Sequence, residues 1–240
     1  LANLLLLVVA LSMLLTPGLF IAYDRLIAPR FVANGPTRAP DTMPQGARII
    51  IAGAGRVGGT VDRILRAAGH ETTVIAYNAR TLEIMERFGV KNYFGDARRP
   101  DLLQAAGIEQ ASVLVVAIDD RAGIDQIVRY ATKACPHLQI VARAVDRDHV
   151  YDLWAAGCRH IIRETFDSSL RMGRTVFEVM GVSRPTAQAM VDAYNLRDRE
   201  AMIHVAEVHK PGVPPHENAA YVERVRAMGP QWFLDMNAEL

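Results

Sequence analysis

A chain of 240 residues is enough for one α/β domain with appendages, and 27 lysines and arginines against 26 aspartates and glutamates leave a formal net charge of +1, which gives no reason to expect nucleic acid. Its two cysteines, Cys135 and Cys158, stand in apolar surroundings without CxxC spacing. That pattern excludes a disulfide framework and a cysteine zinc site and predicts two reduced, buried thiols in a reducing compartment.

The stretch from Leu1 to Tyr23 carries no charged side chain and is long enough to cross a bilayer. The chain starts at Leu rather than Met and shows neither the basic start nor the small-residue cleavage site of a signal peptide, so it reads as a piece of a longer protein opening on a membrane helix. Pro17-Gly18 is expected to kink or end that helix. Arg25, Arg30, Arg38 and Arg48 follow with only Asp24 and Asp41 against them, which places the C-terminal side in the cytoplasm. Pro36, Pro40 and Pro44 then mark a semi-extended linker. The expected organisation is a membrane helix over 1–30, a linker over 31–47, a nucleotide-binding domain over 48–165, a helical extension over 166–210 and a tail over 211–240.

The domain opens on Arg48-Ile49-Ile50-Ile51-Ala52-Gly53-Ala54-Gly55-Arg56-Val57-Gly58, a short β-branched run that breaks into glycines at GxGxxG spacing where a helical pattern begins. Gly53 permits the tight turn, Gly55 lets backbone approach a pyrophosphate, and Gly58 lets helix and strand pack closely, so the amides of Arg56 and Val57 face an anion. On the following helix Val57, Val61, Ile64, Leu65 and Ala68 form one apolar face, with Arg56 and Arg63 on a flank that is solvated on spacing alone.

Further strands are predicted over 72–77, 91–94, 112–118, 139–144 and 159–162, with Gly69, Gly89, Gly107 and Gly157 closing helical runs. Strands alternating with helices predict a doubly wound parallel sheet of the Rossmann type, in the order 3-2-1-4-5-6, with its ligand crevice at the carboxyl ends of strands one and four. The second strand runs out into Ala76-Tyr77-Asn78, where a dinucleotide fold usually carries an acid for the ribose; Asn78 with Arg80 could instead accept a 2′-phosphate, or Arg80 is an ordinary first-turn residue. Asp96 after strand three and Asp119 after strand four could reach ribose or the adenine amino group, or serve as helix caps; for Asp120 the capping role is preferred. Thr165 is the expected N-cap of an amphipathic helix whose stripe is Phe166, Leu170, Val176, Phe177 and Met180, and packing across a two-fold dimer is one way to bury it. The chain then reads helical to about Ala206, breaks at Pro211, Gly212, Pro214 and Pro215, and becomes helical again from Glu217 to Met228.

Three segments carry a family resemblance. Leu11-Ser12-Met13-Leu14-Leu15-Thr16-Pro17 is similar to the last membrane helix of glutathione-gated potassium efflux antiporters of the KefC/KefB type; Phe94-Gly95-Asp96-Ala97 with Asp101-Leu102-Leu103 resembles their YGDAT..DLL segment; and Arg163-Glu164-Thr165-Phe166 resembles their RETF motif. The resemblance implies a KTN (RCK-type) domain that dimerises, holds an adenine nucleotide, either AMP or NAD(P)(H), and gates an attached transporter. It implies glutathione and its adducts as ligands, carried position by position onto Arg63, Phe88, Arg163 and Asn195, and a flavodoxin-like quinone oxidoreductase as ancillary partner. Where relatives have an acid, this chain has Ala76-Tyr77-Asn78, so the nucleotide's identity is open. The alternative is a membrane-tethered NAD(P)-dependent oxidoreductase, but His160, His204, His209 and His216 form no constellation with a nucleophile or carboxylate in the sequence, and no catalytic or metal site is expected.

Overall fold

A computed structural model describes residues 11–13, 15, 16, 19, 48–77 and 93–238. The chain divides into two compact units, Leu1–Ala39 and Pro40–Leu240. In the first, the described residues are helical, and the Thr16 hydroxyl donates to the Ser12 carbonyl at 2.6 Å. Among the described residues no helix is long and apolar enough to cross a membrane. The rest of the expected membrane helix and linker lies outside the described residues.

In the second unit six strands form one parallel sheet: β1 (Ile49–Ala52), β2 (Thr72–Ala76), β3 (Tyr93–Phe94), β4 (Val113–Val116), β5 (Gln139–Ala144) and β6 (His160–Arg163), in the order β3-β2-β1-β4-β5-β6. This is the Rossmann order that the alternation of patterns predicts. β1 sits between β2 and β4, with Ile51 paired to Val74 on one side and to Val115 on the other. A parallel sheet covered on both faces needs apolar residues pointing both ways, which is why β1 and β4 read as unbroken apolar runs, Ile-Ile-Ile-Ala and Val-Leu-Val-Val.

The helices are α1 (Arg56–Ala67), α2 (Pro100–Ala105), α3 (Arg121–Ala134), α4 (Arg147–Ala155), α5 (Phe166–Val179), α6 (Arg184–Ala206) and, after a 3-10 turn over Pro215–Glu217, α7 (Ala219–Ala238). One face of the sheet packs Ile50, Ile75, Leu114 and Ile140 against Leu103, Ile124, Ile127 and Leu153. The other packs Ile51, Val74 and Val115 against Val57, Val61 and Leu65 of α1. Each fully buried Ile or Leu contributes roughly 1.5–3 kcal/mol. Gly69, Gly107 and Gly157 follow α1, α2 and α4 with φ of 85°, 83° and 98°, the left-handed closure expected of them.

Three local expectations need correction. Ile64 does not join the apolar face of α1 but is 62% exposed; Asp62 is buried instead, accepting from Arg66 Nε at 2.8 Å and from the Thr72 hydroxyl, and so ties α1 to the start of β2. Thr165 stands at the N-cap of α5, but its side chain makes no capping bond; its carbonyl accepts from the Ser169 amide at 2.9 Å, and its φ and ψ of −107° and −7° leave the extended region a hydroxyl cap needs. The last helix runs to Ala238, because the glycine and proline at 229 and 230 fall inside it without ending it.

Candidate nucleotide-binding cleft

Each glycine of the motif has a separate geometric cause. Gly53 has φ 110°, donates its amide to the Ile75 carbonyl at 2.9 Å, and leaves no room for a Cβ, which would lie 2.9 Å from Ala117 C. A Cβ on Gly58 would lie 1.9 Å from the Gly53 carbonyl oxygen, so only glycine lets the first turn of α1 seat on the turn that precedes it. Gly55 is different: the nearest atom to a Cβ there is Asp119 Oδ2 at 3.9 Å, so the space above it is open. Gly55 is also the N-cap of α1 without a capping side chain, and the first turn of the helix holds no acid. The orphan amides at Arg56 and Val57 and the positive end of the helix dipole are therefore left for an external anion.

The turn opens on a cleft of about 360 Å³, lined among others by Gly53, Ile75, Tyr77, Asp96, Ile118 and Asp119. That volume is within the range of small-molecule sites, and the uncapped turn with its open glycine fits the phosphate end of a nucleotide. Tyr77 stacks on Phe94 at 6.2 Å between centroids with the rings 13° from parallel, giving one rim a flat apolar surface.

The carboxylates around the cleft are all engaged. Asp96 accepts from the Arg98 amide at 3.0 Å, from its Nε at 2.9 Å and from its Nη2 at 2.7 Å, and these bonds hold the Asp96 carboxyl below the usual range. Asp119, its side chain 75% exposed, accepts from Arg143 Nη1 at 2.5 Å. Asp120 caps α3, accepting from the Gly123 amide at 2.9 Å.

Arg143 and Glu164 are the participants that sequence reasoning missed. Arg143, near the end of β5 and only 6% exposed, pairs with Asp119 on one side and with Glu164 on the other and also reaches the Ala117 and Ile118 carbonyls at 3.4 and 3.3 Å. Burial disfavours its charge, but the two carboxylates outweigh burial and raise its pKa. Glu164, just after β6, also meets Arg56 of the glycine motif at 3.5 Å. The signal in the sequence was one arginine inside the apolar strand Gln139–Ala144.

Of the four positions carried over for glutathione, Phe88 lies outside the described residues, as do Asn78 and Arg80. Arg163 ends β6; its Nη2 donates to Asp198 of α6, and its guanidinium lies 3.4 Å above the Phe166 ring. Asp198 is buried and is shared with Arg147 at 3.3 Å. Asn195 sits one turn before Asp198 on α6 and is half-buried, so it lies one helical turn from the residue that Arg163 binds at the β6–α6 juncture. Arg63 is exposed on α1, donating to the Thr60 hydroxyl at 3.1 Å, two turns beyond Arg56. Beyond this juncture α5 packs on α6 around an apolar groove of about 340 Å³ lined by Phe166, Leu170, Phe177, Met190, Val191 and Tyr194, while Val176, Val179 and Met180 stay exposed.

A parallel 3-2-1-4-5-6 sheet with an uncapped glycine turn at its switch point defines a Rossmann-type nucleotide-binding domain. Residues 49–164 match the TrkA-N domain model. The chain is 36% identical over 228 residues to the glutathione-regulated potassium-efflux system protein KefC of Salmonella arizonae, covering 95% of this chain and 36% of that protein. It is 37% identical over 210 residues to the KefC protein of Klebsiella pneumoniae, covering 86% and 33%. The chain thus spans about a third of the length of these curated relatives. Among solved structures it is similar to the Shewanella denitrificans Kef C-terminal domain in its AMP-bound form, with a TM-score of 0.62 and 36% identity over 68% of this chain and 99% of that one. The GsuK channel bound to NAD, 18% identical with a TM-score of 0.50 over 66% of this chain and 29% of that one, shares the fold. The chain belongs to the TrkA-N (KTN) domain family of the KefC type.

Proposed function

We propose that this chain is the ligand-sensing regulatory part of a glutathione-regulated potassium efflux system: residues 31–240 are cytoplasmic, bind an adenine nucleotide in the cleft and glutathione or its adducts at the β6–α6 juncture, and gate cation movement through a membrane domain in the inner membrane. One observation carries this reading. The open, uncapped Gly53–Gly58 turn faces a cleft in a chain 36% identical to a Kef C-terminal domain whose structure holds AMP. KefC-type relatives support a regulatory role in transport rather than a catalytic one.

Glutathione carries two carboxylates and peptide units. Arg63 and Arg163 match carboxylates bidentately, and Asn195 can both donate to and accept from a peptide group. An adduct displacing Phe88 would bind one arrangement of two domains better than another, and that difference in affinity is the gating energy. The exposed residues of α5 support a two-fold dimer that places these groups near its axis. A flavodoxin-like quinone oxidoreductase is the proposed ancillary partner.

The test is calorimetric titration of the purified chain with AMP, NADH and NADPH, and separately with glutathione. AMP binding is expected, with NADPH at least equal to NADH because β2 runs out without an acid; a strong NADH preference unchanged in Arg80→Ala removes the 2′-phosphate assignment. Arg63→Ala and Asn195→Ala should each weaken glutathione binding by about 1–3 kcal/mol without touching AMP. No glutathione binding by the wild-type chain at millimolar concentration would sink the sensor assignment and leave the nucleotide site standing.

A further inference from the structure

The cleft presents three carboxylates to any ligand that enters it, because Asp96, Asp119 and Asp120 all line it together with the Gly53 turn. A phosphate seated on that turn would lie within a Debye length of each of them. Asp119 is already covered by Arg143 at 2.5 Å. Asp96 and Asp120 share a single guanidinium: Arg98 donates from Nε to Asp96 at 2.9 Å and from Nη2 at 2.7 Å, and its Nη1 stands 3.7 Å from Asp120. Among the described residues lining the cleft, Arg98 is the only cation. It is also held from behind, since Gln126 Nε2 donates to its carbonyl at 2.9 Å and its own amide donates to Asp96 at 3.0 Å.

We propose that Arg98 is a specificity-determining residue of this cleft: by neutralising Asp96 and Asp120 beside the anion-facing turn, it sets a preference for phosphorylated adenine ligands over the unphosphorylated nucleoside. The proposal rests on the nucleotide reading and names what that site selects. With Arg98 removed, two carboxylates face the phosphate uncovered, and in a partly solvated cleft their repulsion amounts to a loss on the order of tenfold in affinity. Adenosine carries no phosphate and is indifferent to that charge.

The experiment titrates AMP and adenosine into the full chain at low and at high salt, for the wild type, Arg98→Thr, Arg98→Lys and the double variant Arg98→Thr/Asp120→Asn. Arg98→Thr should lose about tenfold in AMP affinity at low salt and about twofold or less for adenosine, with the AMP deficit shrinking as salt is added. Arg98→Lys should keep the preference. The double variant should recover part of the AMP affinity, since Asn still caps α3 and one of the two repelling charges is gone. An AMP-to-adenosine ratio unchanged in Arg98→Thr, lost in Arg98→Lys, or unrecovered in the double variant overturns the assignment of Arg98. Equal wild-type affinity for AMP and adenosine overturns that assignment alone, whereas wild-type binding of neither overturns the nucleotide reading and Arg98's role with it.

Discussion

At the scale of single residues, Gly55 and Gly58 belong to one motif but answer to different physics, and substitution separates them. Gly58→Ala drives a methyl to 1.9 Å from the Gly53 carbonyl oxygen, so α1 must lift off its turn. Overpacking of this kind costs about 2–3 kcal/mol, read as a lowered midpoint in denaturant unfolding. Gly55→Ala meets open space at an ordinary negative φ and should leave the midpoint within about 0.5 kcal/mol while abolishing AMP binding, because the methyl stands where the phosphate approaches. If both variants unfold alike, or both bind AMP, the roles given to the two glycines are wrong. Arg143 offers a second contrast. Arg143→Met takes the nearest partner from Glu164, whose side chain is 18% exposed, while Asp119 at 75% exposure stays solvated, so the cost should be about 1–3 kcal/mol; Arg56→Ala removes a side chain that is 85% exposed and should cost about 0.5 kcal/mol or less. Equal costs in the same unfolding series would remove the buried network from the account. Arg163→Ala is a poor single test of ligand binding for a related reason: Arg163 is a partner of the buried Asp198, so its loss loosens α6 as well as any glutathione contact.

At the scale of elements, α5 has found only half a partner. Leu170 and Phe177 turn towards α6, yet no residue of α5 is fully buried, and Val176, Val179 and Met180 face outwards at 53%, 83% and 74% exposure. Leu170→Glu with Phe177→Glu should dissociate the expected dimer or unfold it, and a wild-type chain sedimenting as a monomer at micromolar concentration would count against the dimer. The tail is held by polar contacts as well as packing. His209, its ring tilted 34° against Tyr151 with centroids 5.0 Å apart, meets Asp152 at 3.1 Å and Asp148 at 3.5 Å, and Asn218 donates to the Val208 carbonyl at 2.7 Å. Burial would raise the Asp152 carboxyl, but hydrogen bonds from Arg121 and His209 prevail and hold its pKa below the ordinary value. A depressed folded pKa contributes stability that is present above the unfolded carboxylate value and lost as pH falls through the folded one. Protection of the segment around His209 in hydrogen exchange should therefore persist at neutral pH and fall away below about pH 4, and Asp152→Asn should flatten that acid step. An unaltered acid profile in Asp152→Asn would place the sensitive group elsewhere.

At the scale of the whole molecule, Pro40–Leu240 is a compact unit in its own right, and a truncated chain beginning at Met43 should stay soluble and monodisperse without detergent; a need for detergent would show the boundary to be wrong. Two consecutive residues at the end of β6 connect its parts: Arg163 to Asp198 on α6, and Glu164 to Arg143 and Arg56 at the cleft. What the sequence determined by itself was local and periodic: the strand-turn-helix at Gly53, the β-branched runs that had to be buried on both faces, and the glycines closing α1, α2 and α4, and with them the strand order. What only the tertiary structure decided was pairing across distance. Arg143 reads as an anomaly in an apolar strand until β4 delivers Asp119 and the end of β6 delivers Glu164 to it. Asp62 took a buried place beside Thr72 and Ile64 stayed exposed, because a helical period fixes which residues share a face but not how that face is rotated against the sheet. The seating of His209 between two aspartates likewise depended on contacts far along the chain. The physical reason is common to all of them: backbone preference and hydrophobic spacing are written within a few residues, whereas the environment of a charge is set by whichever groups the fold brings within a few ångströms of it.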